Sequence, residues 1–141
     1  MEKYTRILMF LSLLCVVAIY GSAADTATIL SLAEAKILVV ASPVGQDLQK
    51  ENMDIGFELQ DSSQLNQADY YYFWVYNSKR ANPAGSVTIG YYAVNKHTAD
   101  LWDIDTRRII SGKLLESIQR IIREAHGIDS AIIKHYRTSR F

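Results

Sequence analysis

Hydrophobic positions change their period along the chain, and each change marks an element. Ile7 to Tyr20 is an apolar run without a charge. From 28 to 50, Ile29, Ala33, Ile37, Val40, Val44 and Leu48 recur three or four apart, which places them on one helix face. Pro43 interrupts that helix. Ser42 before it is placed to cap a second short helix, since Pro is accepted at a first helical position. A strand over 36–42 competes with the helix, because β-branched residues cluster there. From Met53 to Asp61 the period drops to two. Ile55, Phe57 and Leu59 alternate with Gly56, Glu58 and Gln60, the pattern of a strand with one face on a core. Residues 61–67 are a polar connection.

The stretch 69–77 is aromatic on both faces of a strand. Tyr70, Tyr72, Trp74 and Tyr76 point one way, and Tyr71, Phe73 and Val75 the other. Such a strand belongs in the middle of a sheet. Asn, Ser, Pro and Gly make 77–85 a loop, longer than a tight hairpin and carrying Lys79 and Arg80. A third strand covers 86–95. In it Val87, Ile89, Tyr91 and Ala93 share one face, and Thr88, Gly90, Tyr92 and Val94 the other. Gly90 marks a bulge or a close backbone approach. Residues 95–98 turn, with Lys96 and His97 in solvent, and a short fourth strand holds Leu101 on one face and Trp102 and Ile104 on the other. After Thr106 the helical period returns. Leu114, Leu115, Ile118, Ile121, Ile122 and Ala125 form a stripe, with Ser111 as its cap and Gly127 as its end. Asp129 is placed to cap a short helix carrying Ile132, Ile133 and Tyr136, before a frayed terminus. The sum is an α+β fold: a four-stranded antiparallel sheet, in the order α-β-β-β-β-α, with helices packed on one face.

The start of the chain changes the domain count. Lys3 and Arg6 precede the apolar run, and Gly21-Ser22-Ala23-Ala24 supplies small residues before a cut at Asp25. Residues 1–24 read as a signal peptide. Residues 25–141 then form a single α+β domain, with a basic C-terminal helix and tail over 107–141. Cys15 is the one cysteine and lies in the signal, so the domain rests on packing without disulfides. Export without disulfides leans toward a bacterial envelope, periplasmic or secreted.

A neutral total charge hides two halves. Residues 25–106 carry 5 Lys/Arg against 11 Asp/Glu, and 107–141 carry 8 against 3. The halves attract each other as solvated faces, or the basic tail meets an anionic surface. Nucleic acid is not expected as a partner.

Chemistry is thin. His97, His126 and His135 make no paired ligand spacing, and no metal and no cofactor is expected. No catalytic residue is assigned. Among Asp100, Asp103 and Asp105 the simplest role is pairing with Arg107 and Arg108. Asp103 is the best acid–base candidate if a pocket exists.

SLAEAKILVVAS (31–42), YYYFWVYN (70–77) and GYYAVNKHTADLWD (90–103) resemble the PepSY-like layout of exported bacterial domains, with Asn95 in the usual acidic place and Ala99 in the usual Gly place. The same hairpin, with GSVTIGYYAV (85–94), also looks like the NTF2-fold or cystatin-like immunity proteins of bacterial toxin systems. That resemblance, over about residues 30–105, implies a protein that binds and blocks a toxin and has no activity of its own.

The leading expectation is a non-enzymatic protein-binding module of the envelope, an inhibitor or immunity protein. Its partner, an envelope enzyme or toxin, would meet Tyr70, Tyr72, Trp74, Tyr76, Lys79, Arg80, Tyr92 and Trp102. Aromatics and arginine most often anchor interfaces. The alternative is a small NTF2- or cystatin-like enzyme, or a ligand carrier, using a pocket between helix and sheet.

Overall fold

Ser31 starts the first helix. Its hydroxyl accepts from the Glu34 N–H at 3.2 Å, and the Glu34 carboxylate accepts from the Ser31 N–H at 2.8 Å. Two otherwise orphaned donors are satisfied reciprocally. The structure, a computed structural model, describes residues 29–51, 54–60, 68–82 and 85–138, with backbone alone at 79–82 and 85–86. The signal segment 1–24 lies outside the described residues. Helix α1 is Leu32–Ala41 and α2 is Pro43–Lys50. Ser42 joins them: its hydroxyl accepts from the Gly45 N–H at 3.1 Å and donates to the Val39 carbonyl at 2.6 Å. The competing strand over 36–42 does not form.

Five strands follow α2 among the described residues, one more than the alternation predicts: β1 Ile55–Gln60, β2 Tyr70–Asn82, β3 Gly85–Asn95, β4 Leu101–Asp103 and β5 Arg108–Ile109. They pair as an antiparallel meander in the order β1-β2-β3-β4-β5. Helices α3, Lys113–His126, and α4, Ser130–Thr138, end the described chain. Within the expected loop over 77–85, residues 77–82 are instead strand, since β2 runs to Asn82, which pairs with Gly85. Its polar residues fit a ladder that extends beyond the core. The register shifts where Val75 pairs with Gly90 and Tyr76 with Thr88, so the extra residue is Ile89, beside the glycine.

One face of the sheet carries the main core. Phe73, Val75, Tyr92, Val94 and Leu101 pack with Ala35, Leu38 and Val39 of α1 and Leu115 and Ile122 of α3. The predicted stripe on α1 is displaced. Ala35, Leu38, Val39 and Ala41 are buried, whereas Ala33 is exposed and Ile37 and Val40 are half-buried. The helix is apolar around most of its girth, so spacing alone does not choose its face. The α3 stripe is narrower than predicted. Leu115 and Ile122 are buried with Gln119, while Leu114 and Ile121 remain 46% and 37% exposed. Gln119 turns inward because its amide donates to the Ala99 carbonyl at 2.9 Å. Gly112, not Ser111, occupies the N-cap position of α3, without a side-chain cap bond, and Gly127 ends it at φ 64.

The β3–β4 turn is the anchor for both C-terminal helices. The Asn95 carboxamide oxygen accepts from the N–H groups of His97 and Thr98 at 2.9 and 3.0 Å. Ala99 takes a left-handed φ of 58, the conformation a glycine would favour. Asp100 follows, 2% exposed. Its carboxylate accepts from Thr98 Oγ1, from Arg123 Nη2 and from both Nε and Nη2 of Arg137, all within 3.0 Å. Arg123 also donates to the Thr98 carbonyl at 2.8 Å. Charges from the basic C-terminal segment therefore meet the acidic half inside the molecule. Burial pulls the Arg123 pKa down, partly offset by Asp100, while its bonds to Asp100 hold that of Arg137 up.

Two expectations for this region are corrected. His97 is not simply solvated, because its ring stacks on Tyr136 of α4 at 4.3 Å and its Nε2 lies 3.0 Å from Asp69. Arg107 and Arg108 form no ion pair with Asp100, Asp103 or Asp105 among the described residues. Arg107 sits at φ 55 in the turn before β5, and Asp103 accepts instead from the Thr106 N–H at 3.1 Å.

Candidate protein-binding face

The opposite face of the sheet is built by the even-numbered residues of β2. Tyr70, Tyr72, Trp74 and Tyr76 project there in a row, since successive strand residues alternate faces. The register sets their neighbours. Glu58 of β1 lies opposite Trp74 on one side, and Tyr91 of β3 on the other. Tyr72 is followed across the sheet by Ala93, Trp102 and Ile109. The cluster on this face holds Tyr70, Tyr72 and Ala93, with Trp102 and Ile104 packed against it. All of these are sheet or turn residues. No helix residue joins them among the described residues.

Burial divides the row. Tyr70 and Tyr72 are buried, and Trp74, Tyr76 and Trp102 are half-buried. Tyr91 is 42% exposed and Ile109 38%. Burial raises the Tyr70 and Tyr72 pKa values, so both rings stay neutral well into alkali. The other end of the row is held rigid. Trp74 Nε1–H donates to Thr88 Oγ1 at 3.1 Å, and the Trp74 and Tyr76 ring centroids are 4.9 Å apart. The Tyr76 ring lies over Gly56, where a Cβ would come within 2.3 Å of it. Fixing an aromatic side chain in advance lowers the entropy lost on binding.

Not every predicted contact residue gathers here. Tyr70, Tyr72, Trp74, Tyr76 and Trp102 share the face. Tyr92 points the other way, 5% exposed in the helix-covered core, with its hydroxyl over Gly90. Lys79 and Arg80 belong to β2 by their backbone, and their side chains lie outside the described residues. Tyr91, Thr88, Glu58 and Ile109 join the face without having been singled out from sequence. Glu58 and Tyr91 lie in strands whose alternation is visible, but only the pairing register, with its bulge at Ile89, brings Thr88 to the same face as Tyr91, and Ile109 lies on a strand too short to carry a period.

The alternative site between helix and sheet is packed. Phe73, Leu38, Leu101 and Leu115 are all fully buried there. A depression of about 560 Å³ lies elsewhere, between the end of α3 and the start of α4, lined by Arg120, Arg123, Glu124, Gly127, Ile128 and Asp129. Among the described residues no three His, Cys, Asp or Glu side chains cluster as metal ligands, and no helix is long and apolar enough to cross a membrane.

No family model and no curated protein matches the chain. Among solved structures it is similar to a chain in the structure of a type VI secretion system effector–immunity complex from Pseudomonas protegens. The identity is 24% and the TM-score 0.59, and the match covers 80% of this chain and 90% of that one. The likeness establishes a shared α+β fold.

Proposed function

We propose that this protein is a non-enzymatic binding module that holds and blocks a bacterial toxin, an immunity-type protein exported to the envelope by residues 1–24. The observation that carries the reading is the open aromatic face centred on Trp74. It combines a fixed indole, two adjacent tyrosines and an apolar rim at Ile109, outside the helix-packed core. Faces of this composition anchor protein interfaces. The fold shared with a chain of an effector–immunity complex supports it. Trp74, Tyr76, Tyr91 and Trp102 are the contacts, with Tyr70 and Tyr72 as the packed floor beneath them.

The test is protection. Exported toxins of the host would be expressed one at a time in a sensitive strain, with and without this protein. Rescue of growth by the wild type and not by a Trp74→Ala, Tyr91→Ala double variant supports the reading. Equal rescue by both, or none with any exported toxin, contradicts it.

A further inference from the structure

Glu58 is the sole charged residue among the described residues that pair on the aromatic face. It is exposed on β1, directly across from Trp74, with Tyr91 on the far side of the indole. It makes no ion pair among the described residues. The helix-bearing side is different. There Lys96 lies over the Tyr71 ring at 4.9 Å and Lys36 over Phe57 at 6.0 Å. Aromatic rings on that side take cations from the chain itself, whereas the described cations leave Trp74, Tyr76 and Tyr91 to an outside group.

Ring faces are the negative pole of the aromatic quadrupole and attract a cation placed over them. A carboxylate at their edge adds a directional acceptor. A planar guanidinium satisfies both at once, by stacking on an indole and pairing bidentately with a carboxylate. We propose that the platform formed by Glu58, Trp74, Tyr76 and Tyr91 receives an arginine side chain from a loop of the partner protein. This deepens the protein-binding reading and rests on it. The Thr88 bond holds the indole before the arginine arrives, and Tyr76 cannot swing away from β1 without leaving Gly56.

The probe is the capped tripeptide acetyl-Gly-Arg-Gly-amide, compared with the same peptide carrying neutral citrulline in place of arginine. Each would be titrated into the purified protein while NMR follows the Trp74 indole N–H and the Glu58 and Tyr91 amides. The arginine peptide is expected to move these signals and to bind about threefold or more tightly than the citrulline peptide. Glu58→Gln, an exposed and nearly isosteric change, should abolish that preference with an unchanged circular dichroism spectrum. Equal responses to both peptides, shifts confined to the helices, or a preference that survives Glu58→Gln would overturn the proposal. So would shifts at this face that depend on protein concentration alone, which would assign it to a second copy. A toxin lost on Trp74→Ala without arginine preference would remove the arginine inference and leave the binding reading intact. Arginine preference alongside a toxin indifferent to Trp74 would do the reverse.

Discussion

Arg137 reaches back 37 residues to grip Asp100 with two parallel hydrogen bonds, 2.9 Å from Nε and 2.8 Å from Nη2. Helix α4 has no buried residue of its own. This fork and the Tyr136–His97 stack are what seat it on the β3–β4 turn. The Asp100 side chain is nearly sealed from solvent and faces two guanidinium groups, so its removal strands positive charge. Asp100→Ala should lower stability by about 3–5 kcal/mol. Arg137 is itself 46% exposed, so Arg137→Ala should cost only about 1 kcal/mol. Denaturant midpoints give both numbers. Hydrogen exchange should show α4 amides losing protection in Arg137→Ala before those of the sheet.

Acid should act on the α1–α3 contact through Glu34. Burial raises its pKa, but the bonds from His126 and Ser31 outweigh that and hold it below the ordinary 4.5. A depressed carboxylate pKa contributes stability that is present above the unfolded value and lost as pH falls through the folded one. The His126–Glu34 contact, 2.7 Å, ties α3 to α1. Melting temperatures measured from about pH 7 down to about pH 3 should therefore fall more steeply for the wild type than for Glu34→Gln. The variant should be the less stable of the two at neutral pH.

Alkali should act through tyrosine. Burial raises the hydroxyl pKa of Tyr70, Tyr71, Tyr72 and Tyr92 above 10, most strongly at Tyr72. A raised acid pKa stabilises the fold fully below the unfolded value, and the contribution is lost as pH climbs toward the folded one. Phenolate absorbance at about pH 11 should stay well short of the total for the seven tyrosines of residues 25–141 and rise sharply on unfolding.

The α1–α2 corner tolerates no added carbon. A Cβ at Gly45 would stand 2.3 Å from the Val40 carbonyl oxygen and 2.6 Å from that of Val39. Both are backbone atoms and cannot rotate away. Gly45→Ala should destabilise by about 1–3 kcal/mol despite alanine's better helix propensity, as read from thermal or denaturant unfolding.

Much of this fold was legible because its periods are clean. Alternation in 55–60 and 69–77, the Ser42-Pro43 pair and Gly127 each encode a local decision, and the structure follows them, except that Leu59 of the predicted core face stays 48% exposed. β5 was not legible, since two residues carry no period. The continuation of β2 through Ser78 to Asn82 was hidden by turn-forming residues that a long hairpin accommodates. The Asp100 clamp was missed for another reason. Asp100, Arg123 and Arg137 are far apart in sequence, and only the docking of α3 and α4 on one turn brings them together. At the candidate face, the row from Tyr70 to Tyr76 follows from alternation alone. Tyr91 and Glu58 needed the register, and the bulge at Ile89 disturbs the parity by which β3 residues are counted from the hairpin end.

The most direct measurement is calorimetric titration of a toxin that the protein neutralises, against the wild type and Trp74→Ala. We expect one-to-one binding by the wild type and a loss of about 2 kcal/mol, roughly 30-fold in Kd, for Trp74→Ala with its circular dichroism and melting cooperativity retained. Wild-type affinity in a folded Trp74→Ala protein would contradict the assignment of the partner to this face.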